Sequence, residues 1–352
     1  MRKKGGFSRK KSFDMDSKEI TIYDIAKVLQ VSPSTVSRGL NDNFNVGANT
    51  KNRILEAARN MGYQRNIYAN KLRCKDTHTL GVVIPRIDSY FMSTVIAGME
   101  KVASERGYTL IISQSQESVK QEQRMIQTMF NNRVDGLFVS LAADTKNLQH
   151  FNEFFSKNIP VLFFDRIATH LNCSTISIDN KKAGYDATCH LIVQGRKRIV
   201  FVGGNNNRNV YADRLSGYQQ AHIDNGLEYD SSLIIINTLT ERDSQEAARK
   251  ILKMNPLPDG IFASNDTSAA SCIGELVNAG IKIPEQIAIV GFNNDPISRA
   301  TRPSLTTIEY PGLEMGEIAA SNLIDTINRK SNRIYRSLVL SHRLIVRQSS
   351  EK

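Results

Sequence analysis

Apolar residues in the stretch 21–40 recur with the spacing of two short helices. In the first helix the apolar stripe falls at i, i+3, i+4 and i+7, and it consists of Ile22, Ile25, Ala26 and Leu29. Thr21 is placed to cap this helix. Ser32 can cap the second helix, and Pro33 takes its first position, where the missing N–H is not needed. Val36 and Leu40, one turn apart, can then face the first helix, so the pattern predicts a helix-turn-helix pair.

The opposite face of the second helix carries short hydrogen-bonding side chains and one positive charge. It consists of Ser34, Ser37, Arg38 and Asn41. Such a face suits a helix that lies in the major groove of DNA. A small helical hairpin in any other kind of domain is an equally good interpretation of the pattern alone.

A third helix is predicted from Thr50 to about Met61, with Gly62 placed to end it. Its apolar stripe consists of Ile54, Ala57, Ala58 and Met61. Together the three helices predict an all-α helix-turn-helix domain over residues 19–65. Residues 66–78 are predicted to form a linker that can become two helical turns on DNA, since so short a helix is unstable alone. Leu72 is an apolar residue in this basic segment, and a wedge in the DNA minor groove would explain it.

From residue 79 onwards, short apolar runs alternate with amphipathic helical patterns. Strands are predicted at Leu80–Ile84, Tyr108–Ser113, Gly136–Leu141, Val161–Phe164, Thr175–Ile178, Ile199–Val202, Leu233–Ile236, Gly260–Ala263 and Ile287–Gly291. Helices are predicted between them, for example at Tyr90–Arg106, Val119–Asn131, Lys181–Val193, Asp243–Met254 and Thr267–Ala279. This alternation indicates an α/β body of parallel sheets covered on both faces. About ten strands favour two doubly wound subdomains, the first over residues 79–178 and 311–338 and the second over residues 179–310 and 339–352.

Charge separates the two parts of the 352-residue chain. Residues 1–78 contain 16 Lys and Arg against 7 Asp and Glu, whereas the remainder contains 30 against 28. A basic head on a nearly neutral body favours a nucleic-acid partner for the head. Residues 1–18 are predicted to be a basic disordered arm. No apolar run is long enough to span a membrane and the basic N-terminus lacks an apolar signal segment, so we expect a cytoplasmic, nucleoid-associated protein.

The body lacks the usual sequence signatures of catalysis. It contains no GxGxxG after the first strand, no P-loop motif and no GxSxG nucleophile elbow. The four cysteines are widely spaced, which predicts reduced thiols, and neither they nor the six histidines form a metal-ligand pattern. We therefore expect no metal, no cofactor and no catalytic residues.

Polar and aromatic residues do follow the predicted strands. They are Phe91, Asp165, Arg166, Arg214, Asn265, Asp266 and Asn293. Ligands of open parallel sheets bind beyond the carboxyl ends of the strands, and two subdomains would form a cleft there. Arginine forks, amides, carboxylates and an aromatic face suit a hydroxyl-rich ligand such as a sugar. Taken singly, each residue could instead cap a helix or order a loop.

Taken together, these residues and motifs resemble the lactose/galactose repressor family of bacterial transcription regulators over some 330 residues. The head carries TIYDIAKVLQVSPSTVSRGLN, and the body carries LGVVIP at 80–85, VDG at 134–136, RLSGY at 214–218, SND at 264–266, IVGF at 289–292 and PSLTT at 303–307. The resemblance implies a periplasmic-binding-protein-like body and a homodimer that binds pseudo-palindromic double-stranded operator DNA. It also implies a small effector, a sugar or sugar phosphate, that shifts operator affinity.

The resemblance also implies roles for individual residues. Positions that reach base edges are matched by Pro33, Ser34 and Arg38. Phosphate-contacting positions are matched by Tyr23, Ser32, Thr35, Ser37 and Thr50. The hinge that forms on the operator is matched by residues 66–73, including Asn66, Ala69 and the wedge Leu72. Effector-contacting positions are matched by Phe91, Asp165, Arg214, Asn265 and Asn293.

Three residues depart from the family pattern. Pro33 replaces a side chain that usually contacts bases, so base recognition depends more on Ser34 and Arg38. Arg65 stands where the hinge usually begins with proline. Asn293 replaces the carboxylate that many members direct at effector hydroxyls, so the sugar preference cannot be transferred from those members.

Two other classes of protein share this kind of body. A solute-binding protein would need a secretion signal and no basic head, and a carbohydrate-metabolising enzyme would need a nucleophile and a base. We therefore favour a transcriptional regulator, with repression as the expected activity. The sequence leaves open the identity of the effector, whether it induces or co-represses, whether transcription is repressed or activated, and what the basic arm does.

Overall fold

The structure is a computed structural model that describes residues 20–40, 46–63, 76–168, 170, 173–329 and 333–351. The chain divides into two compact units, a head in residues 1–75 and a body in residues 76–352. The predicted arm, Asn41, the segment 64–75 with Asn66, Ala69 and Leu72, and Cys74 lie outside the described residues. No helix among those described has the length and apolar composition needed to cross a membrane.

The head contains three helices, α1 (Ile22–Leu29), α2 (Pro33–Leu40) and α3 (Ala48–Asn60). Their buried core consists of Ile25, Ala26, Val36, Ile54 and Ala58. The first helix begins as predicted, with the Asp24 carboxylate accepting hydrogen bonds from the backbone N–H (2.8 Å) and hydroxyl (2.6 Å) of Thr21. The second begins at the predicted cap, since the Ser32 hydroxyl accepts from the Thr35 N–H at 3.1 Å. The third begins two residues before the predicted Thr50.

Close packing of α2 on α3 depends on a glycine. A Cβ atom at Gly39 would lie 2.6 Å from Cδ1 of Ile54, which is fully buried. The absence of a side chain at Gly39 therefore lets the two helices approach each other. Val36, about one turn earlier on α2, contributes a buried apolar side chain to the same core.

The body contains two six-stranded sheets. The first is fully parallel, in the order β11-β5-β4-β3-β1-β2. Its strands are β1 (Thr79–Ile84), β2 (Thr109–Gln114), β3 (Gly136–Val139), β4 (Val161–Phe164), β5 (Cys173–Ile178) and β11 (Ser337–Leu340). The central strands β1, β3, β4 and β5 are buried throughout, as expected for a sheet covered on both faces.

The second sheet has the order β12-β10-β9-β8-β6-β7 and is parallel except for the antiparallel pair β10 and β12. Its strands are β6 (Ile199–Gly203), β7 (Ile234–Ile236), β8 (Gly260–Ala263), β9 (Ala288–Asn293), β10 (Thr306–Glu309) and β12 (Arg343–Ile345). Strands β10, β11 and β12 were absent from the strands inferred from apolar runs. They have only three or four residues each, and polar residues make up about half of them.

Helices cover both sheets. They are α4 (Tyr90–Glu105), α5 (Val119–Asn131), α6 (Asn152–Ser156), α7 (Asn180–Val193), α8 (Asn209–Asp224), α9 (Glu241–Ile251), α10 (Asp266–Asn278), α11 (Ile297–Ala300) and α12 (Gly312–Asn328). Short 3-10 turns lie at Gln149–Phe151 and Ser231–Leu233. The two largest helix pairs are α4 with α12 and α7 with α8. The helical patterns named from the sequence agree with α4, α5, α7, α9 and α10 to within three residues at each end.

The described chain passes between the two sheets three times. It crosses from β5 to α7, from β10 to α12, and from β11 to β12. We call the first sheet with its helices, including α12, the first subdomain, and the second sheet with its helices the second subdomain. Because of these crossings, both subdomains contain segments that are distant in sequence.

Candidate functional site

A cavity of about 600 Å³ lies between the two subdomains of the body. It is lined by residues that follow the carboxyl ends of strands from both sheets, such as Asp165 after β4, Asn265 after β8 and Tyr310 after β10. This is the location expected for a ligand of open parallel sheets. Its volume is within the range of small-molecule sites in proteins.

Arg214 on α8 is held in place on the wall of this cavity. Its Nε donates to Oδ1 of Asn180 (2.9 Å) and its Nη1 donates to the carbonyl of Ser264 (2.8 Å). The guanidinium carbon lies 3.5 Å from the centroid of the Phe292 ring. A Cβ atom at Gly184 would lie 2.4 Å from the backbone oxygen of Arg214, so this glycine allows α7 to pack directly on the backbone of the residue. Burial lowers the pKa of Arg214, opposed chiefly by neighbouring tyrosines.

A buried carboxyl group lies opposite the arginine. Oδ1 of Asp165 accepts a hydrogen bond of 2.9 Å from the hydroxyl of Tyr310, whose ring stacks on Phe91 with centroids 4.2 Å apart. Burial raises the pKa of Asp165, and the charges of Arg166 and Arg214 oppose that shift. Asp165, Tyr310 and Phe91 therefore combine an acceptor with an aromatic surface in the cavity lining.

Arg166 is already engaged in an ion pair. Its guanidinium donates to both carboxylate oxygens of Glu117, at 2.6 and 3.0 Å, and to the hydroxyl of Tyr211 at 3.3 Å. Burial would lower the pKa of Arg166, but Tyr211 and the bonds to Glu117 outweigh burial and raise it. The side chain of Arg166 thus connects the loop after β2 to α8 of the other subdomain.

Asn209, the first residue of α8, also connects the two subdomains. Its Nδ2 donates to the carbonyl of Asp165 and its Oδ1 accepts from the N–H of Ile167, each at 3.1 Å. The neighbouring Arg208 donates from Nη2 to the carbonyl of Thr145 in the first subdomain. These bonds fix the two subdomains in the arrangement that encloses the cavity.

The adjacent residues Asn265 and Asp266 are placed differently. Asn265 lines the cavity and caps α10, because its Oδ1 accepts from the N–H of Ser268 at 2.7 Å. Asp266 is fully buried and is not among the residues that line the cavity. Its carboxyl group accepts from the Thr307 hydroxyl (2.6 Å) and from the N–H of Asp295 (2.7 Å). Burial raises the pKa of Asp266 to about 8.

The last residue of β9 and the loop after it present an amide and a carboxyl group to the cavity. Asn293 has φ 110°, in the left-handed region where asparagine is better tolerated than most residues. Its Nδ2 lies 3.5 Å from Oδ2 of Asp295. Burial raises the pKa of Asp295 to about 6, against the effect of this amide.

The surface of the head presents the residues predicted to contact DNA. Ser34 and Arg38 are exposed on α2, and Tyr23 is 68% exposed on α1. The Ser32 hydroxyl lies 2.8 Å from the hydroxyls of both Ser34 and Thr35, which orders the polar start of α2. The remaining predicted contacts in the described part of the head are partly buried, and they are Pro33, Thr35, Ser37 and Thr50.

Comparison with known proteins connects both units to one family. The sequence profile of bacterial regulatory proteins of the lacI family matches residues 21–66, and that of the periplasmic binding protein-like domain matches residues 188–350. Catabolite control protein A of Priestia megaterium is 32% identical over 334 residues, which cover 94% of this chain and 99% of that protein. The chain belongs to the LacI family of bacterial regulatory proteins.

Solved structures agree with this assignment of the chain to the LacI family. The transcriptional regulator CelR in complex with cellobiose has a TM-score of 0.71 and 27% identity, and the match covers 94% of this chain and 100% of that one. The lac repressor dimer bound to operator and the anti-inducer ONPF has a TM-score of 0.80 at 20% identity, covering 95% and 99% of the two chains, which supports the fold. The predicted fold class, a helix-turn-helix head on two parallel-sheet subdomains, is confirmed, as is the prediction of a DNA-binding transcriptional regulator.

The structure of this LacI-family chain brings most of the predicted effector residues together. Those that line the cavity are Phe91, Asp165, Arg166, Arg214, Asn265 and Asn293. Asp266 does not line it, since its carboxyl group is bound to the backbone and to a strand behind the cavity wall. Their contacts with an effector, and the contacts of the head with DNA, stay predictions.

Several cavity residues were missed by sequence reasoning. Glu117, Tyr211 and Tyr310 pair with predicted residues, and Asp295 lies two residues after the predicted Asn293. Tyr310 follows β10, a strand too short and polar to be recognised. Glu117 lies three residues after the end of β2, and Tyr211 lies eight residues after the end of β6. At such distances from a strand, sequence position alone does not indicate the direction of the side chain. Among the described residues, no group of three or more His, Cys, Asp or Glu side chains could hold a metal ion.

Proposed function

We propose that this protein binds a pseudo-palindromic operator as a homodimer and that a small carbohydrate effector in the cavity controls its operator affinity. The observation that carries the proposal is the polar and aromatic cavity at the carboxyl ends of both sheets, in a chain whose other unit exposes Ser34 and Arg38 on a helix-turn-helix. The cellobiose complex of CelR supports a carbohydrate. The effector contacts we propose are Phe91, Asp165, Arg166, Arg214, Asn265 and Asn293.

In the DNA complex, Pro33, Ser34 and Arg38 reach base edges, and recognition of the bases depends mainly on Ser34 and Arg38. Arginine makes bidentate contacts to guanine in the major groove, and such a pair contributes about 1–3 kcal/mol of discrimination. Phosphates are contacted by Tyr23, Ser32, Thr35, Ser37 and Thr50. The hinge with Asn66 and Ala69 forms on the operator and places Leu72 in the minor groove.

Effector and operator binding are coupled through the arrangement of the two subdomains. The effector contacts both subdomains, so its binding energy depends on the angle between them, and the same angle sets the separation of the two hinges in the dimer. Coupling of this kind is typically about 1–3 kcal/mol per site. We propose repression as the output, in the cytoplasm, where the operator is accessible.

Replacing Arg38 tests the head. The wild-type protein is first used to select its preferred site from random DNA. Arg38→Ala should weaken binding to that site by about 1–3 kcal/mol and relax the preference at one base pair. Fluorescence anisotropy measures the affinity for the selected site and the affinity for random DNA. Arg59→Ala removes the same charge from an exposed position on α3 outside the predicted contacts and serves as the control. Equal losses on selected and random DNA for Arg38→Ala would contradict a role in reading bases.

A thermal-shift screen against a sugar panel tests the body. A sugar that raises the melting temperature should also change operator affinity in the anisotropy assay, and a sugar that binds without changing it would refute the coupling. Product analysis after incubation with the same sugar separates the regulator from an enzyme of carbohydrate metabolism. We expect the sugar to be recovered unchanged.

A further inference from the structure

Asp295 has an unusual position in the cavity wall. The residue is only 7% exposed, and its Oδ1 is buried with no hydrogen-bond partner among the described residues. Its Oδ2 has one long contact, with Nδ2 of Asn293 at 3.5 Å. Buried carboxyl oxygens are normally hydrogen-bonded. Because Asp295 lines the cavity, its carboxyl group has acceptor capacity left for a donor on the ligand, which the side chain can meet by rotation.

The other charges of the cavity are largely matched to one another. Arg166 is bound by Glu117, and Arg86 donates to both oxygens of Asp88, at 2.9 and 2.6 Å. Arg214 lies in the field of Asp165, and each charge opposes the pKa shift that burial causes in the other. The lining therefore holds three guanidinium groups against five carboxyl groups, of which Glu241 and Asp295 remain unmatched.

This balance is unfavourable for an anionic ligand. A phosphate group would need an unpaired cation or free backbone N–H groups, and it would be repelled by Asp295 in a site of low dielectric. Two of the helix N-termini at the cavity are also capped by their own side chains: the Ser89 hydroxyl accepts from Met92 N–H at 3.4 Å, and Asn265 accepts from Ser268 N–H at 2.7 Å. Hydroxyl or amino groups, by contrast, can donate to Asp295.

We propose that the effector carries no phosphate or carboxylate group and that Asp295 accepts a hydrogen bond from one of its hydroxyl or amino groups. This inference rests on the proposed function and narrows it from sugars and sugar phosphates to uncharged or amino sugars. It also assigns the anchoring carboxylate to Asp295, two residues after the position where Asn293 replaces the carboxylate of many family members. A pKa of about 6 for Asp295 agrees with this role, since a carboxyl group with that pKa is mostly ionised at neutral pH.

The first test compares matched pairs of sugars on the full-length wild-type protein. The panel contains glucose, ribose, fructose and cellobiose, each beside its phosphate ester, with glucosamine beside glucose. Thermal shift selects the binders and calorimetry measures their Kd values. We expect at least one neutral or amino sugar to bind at least about tenfold more tightly than its phosphate ester. Preference between glucose and glucosamine distinguishes a hydroxyl from an amino donor.

A phosphate ester that binds as tightly as the neutral sugar, or more tightly, would overturn this inference while supporting the proposed carbohydrate effector. A panel in which neither class binds would count against both. The two failures are therefore distinguishable.

The second test uses two isosteric substitutions that each remove one carboxylate. Asp295→Asn should weaken binding of the preferred neutral sugar at least about tenfold and reduce the discrimination against its phosphate ester. Glu228→Gln removes the same charge from an exposed position outside the cavity lining and should change either affinity less than about twofold. Equal effects of the two substitutions would show a general charge effect and overturn the direct role of Asp295.

The melting temperature of each variant without sugar checks that it folds. If Asp295→Asn does not fold, the comparison of matched sugars on the wild-type protein still decides the class of ligand.

Discussion

The bonds that Asn209 makes across the cleft allow a quantitative prediction. Its amide donates to the carbonyl of Asp165 and accepts from the N–H of Ile167, so one side chain supplies two hydrogen bonds between the subdomains. Asn209→Ala removes both without touching the lining of the cavity, since Asn209 does not line it. The enclosed arrangement should then lose stability relative to more open ones.

The expected magnitude follows from the number of bonds. A typical hydrogen bond contributes about 0.5–1.5 kcal/mol net, so two bonds contribute about 1–3 kcal/mol to the enclosed arrangement. An energy of that size corresponds to a factor of about 5–150 in an equilibrium constant. Because an effector that contacts both subdomains needs the enclosed arrangement, its apparent affinity should fall by up to this factor. The change in operator affinity that a fixed effector concentration produces should shrink accordingly.

Calorimetry with the effector and anisotropy with the operator, with and without effector, measure these two quantities. Asn207→Ala, the same substitution at an exposed position two residues earlier, in the loop before α8, is the matched control and should behave like the wild-type protein. If Asn209→Ala binds the effector with unchanged affinity, the two bonds do not stabilise the ligand-binding arrangement and the reasoning is refuted.

Three further predictions concern single residues. Gly39→Val should lower the free energy of unfolding of the head by about 1–3 kcal/mol, because the new side chain overlaps Ile54. Urea unfolding of the full chain measures this, and an unchanged stability would show that α2 and α3 can separate to accept the side chain. The raised pKa of Asp266, about 8, means that the folded state holds a proton that the unfolded state releases near pH 4, so stability should fall as pH rises from about 4 to 8. Asp266→Asn should flatten this dependence in urea unfolding, and an identical slope would contradict the shift. Arg214→Lys keeps the charge but cannot bind Asn180 and Ser264 at the same time, so the effector affinity should fall at least about tenfold while operator binding is retained. If calorimetry shows wild-type effector affinity, the role of Arg214 is structural.

The head could be predicted from sequence because its information is local. The stripe of Ile22, Ile25, Ala26 and Leu29 and the cap at Ser32 each involve residues within two turns, and the structure places them accordingly. Only the contribution of Gly39 required knowledge of what lies opposite it.

The body was predictable as a pattern of elements but less so in its details. Helix α8 was not among the helices named from apolar periodicity, because its buried face consists largely of Arg214, Gly217, Tyr218 and His222 instead of aliphatic residues. A polar or glycine-rich face packs well only against a specific partner, here α7, and such complementarity is not visible in one helix alone.

The cavity shows the same limit at the level of side chains. Asn265 and Asp266 are neighbours after one strand, yet the first lines the cavity and the second binds Thr307 behind the wall. Successive residues at the start of a helix point in different directions. The position of a residue after a strand therefore predicts which loop lines the cavity, but not which side chain of that loop does so.

The crossings between the two sheets also have a consequence for synthesis. The edge strand β11 of the first sheet and the helix α12, which packs on α4, come from residues 312–340, after five of the six strands of the second sheet. During translation the first subdomain therefore cannot be completed before most of the second has been synthesised, and the surface of α4 at Val95 and Met99, against which Gly316 packs, stays uncovered until then. A chain ending after β10 would leave both sheets incomplete, so we expect C-terminal truncations to aggregate instead of yielding a folded half.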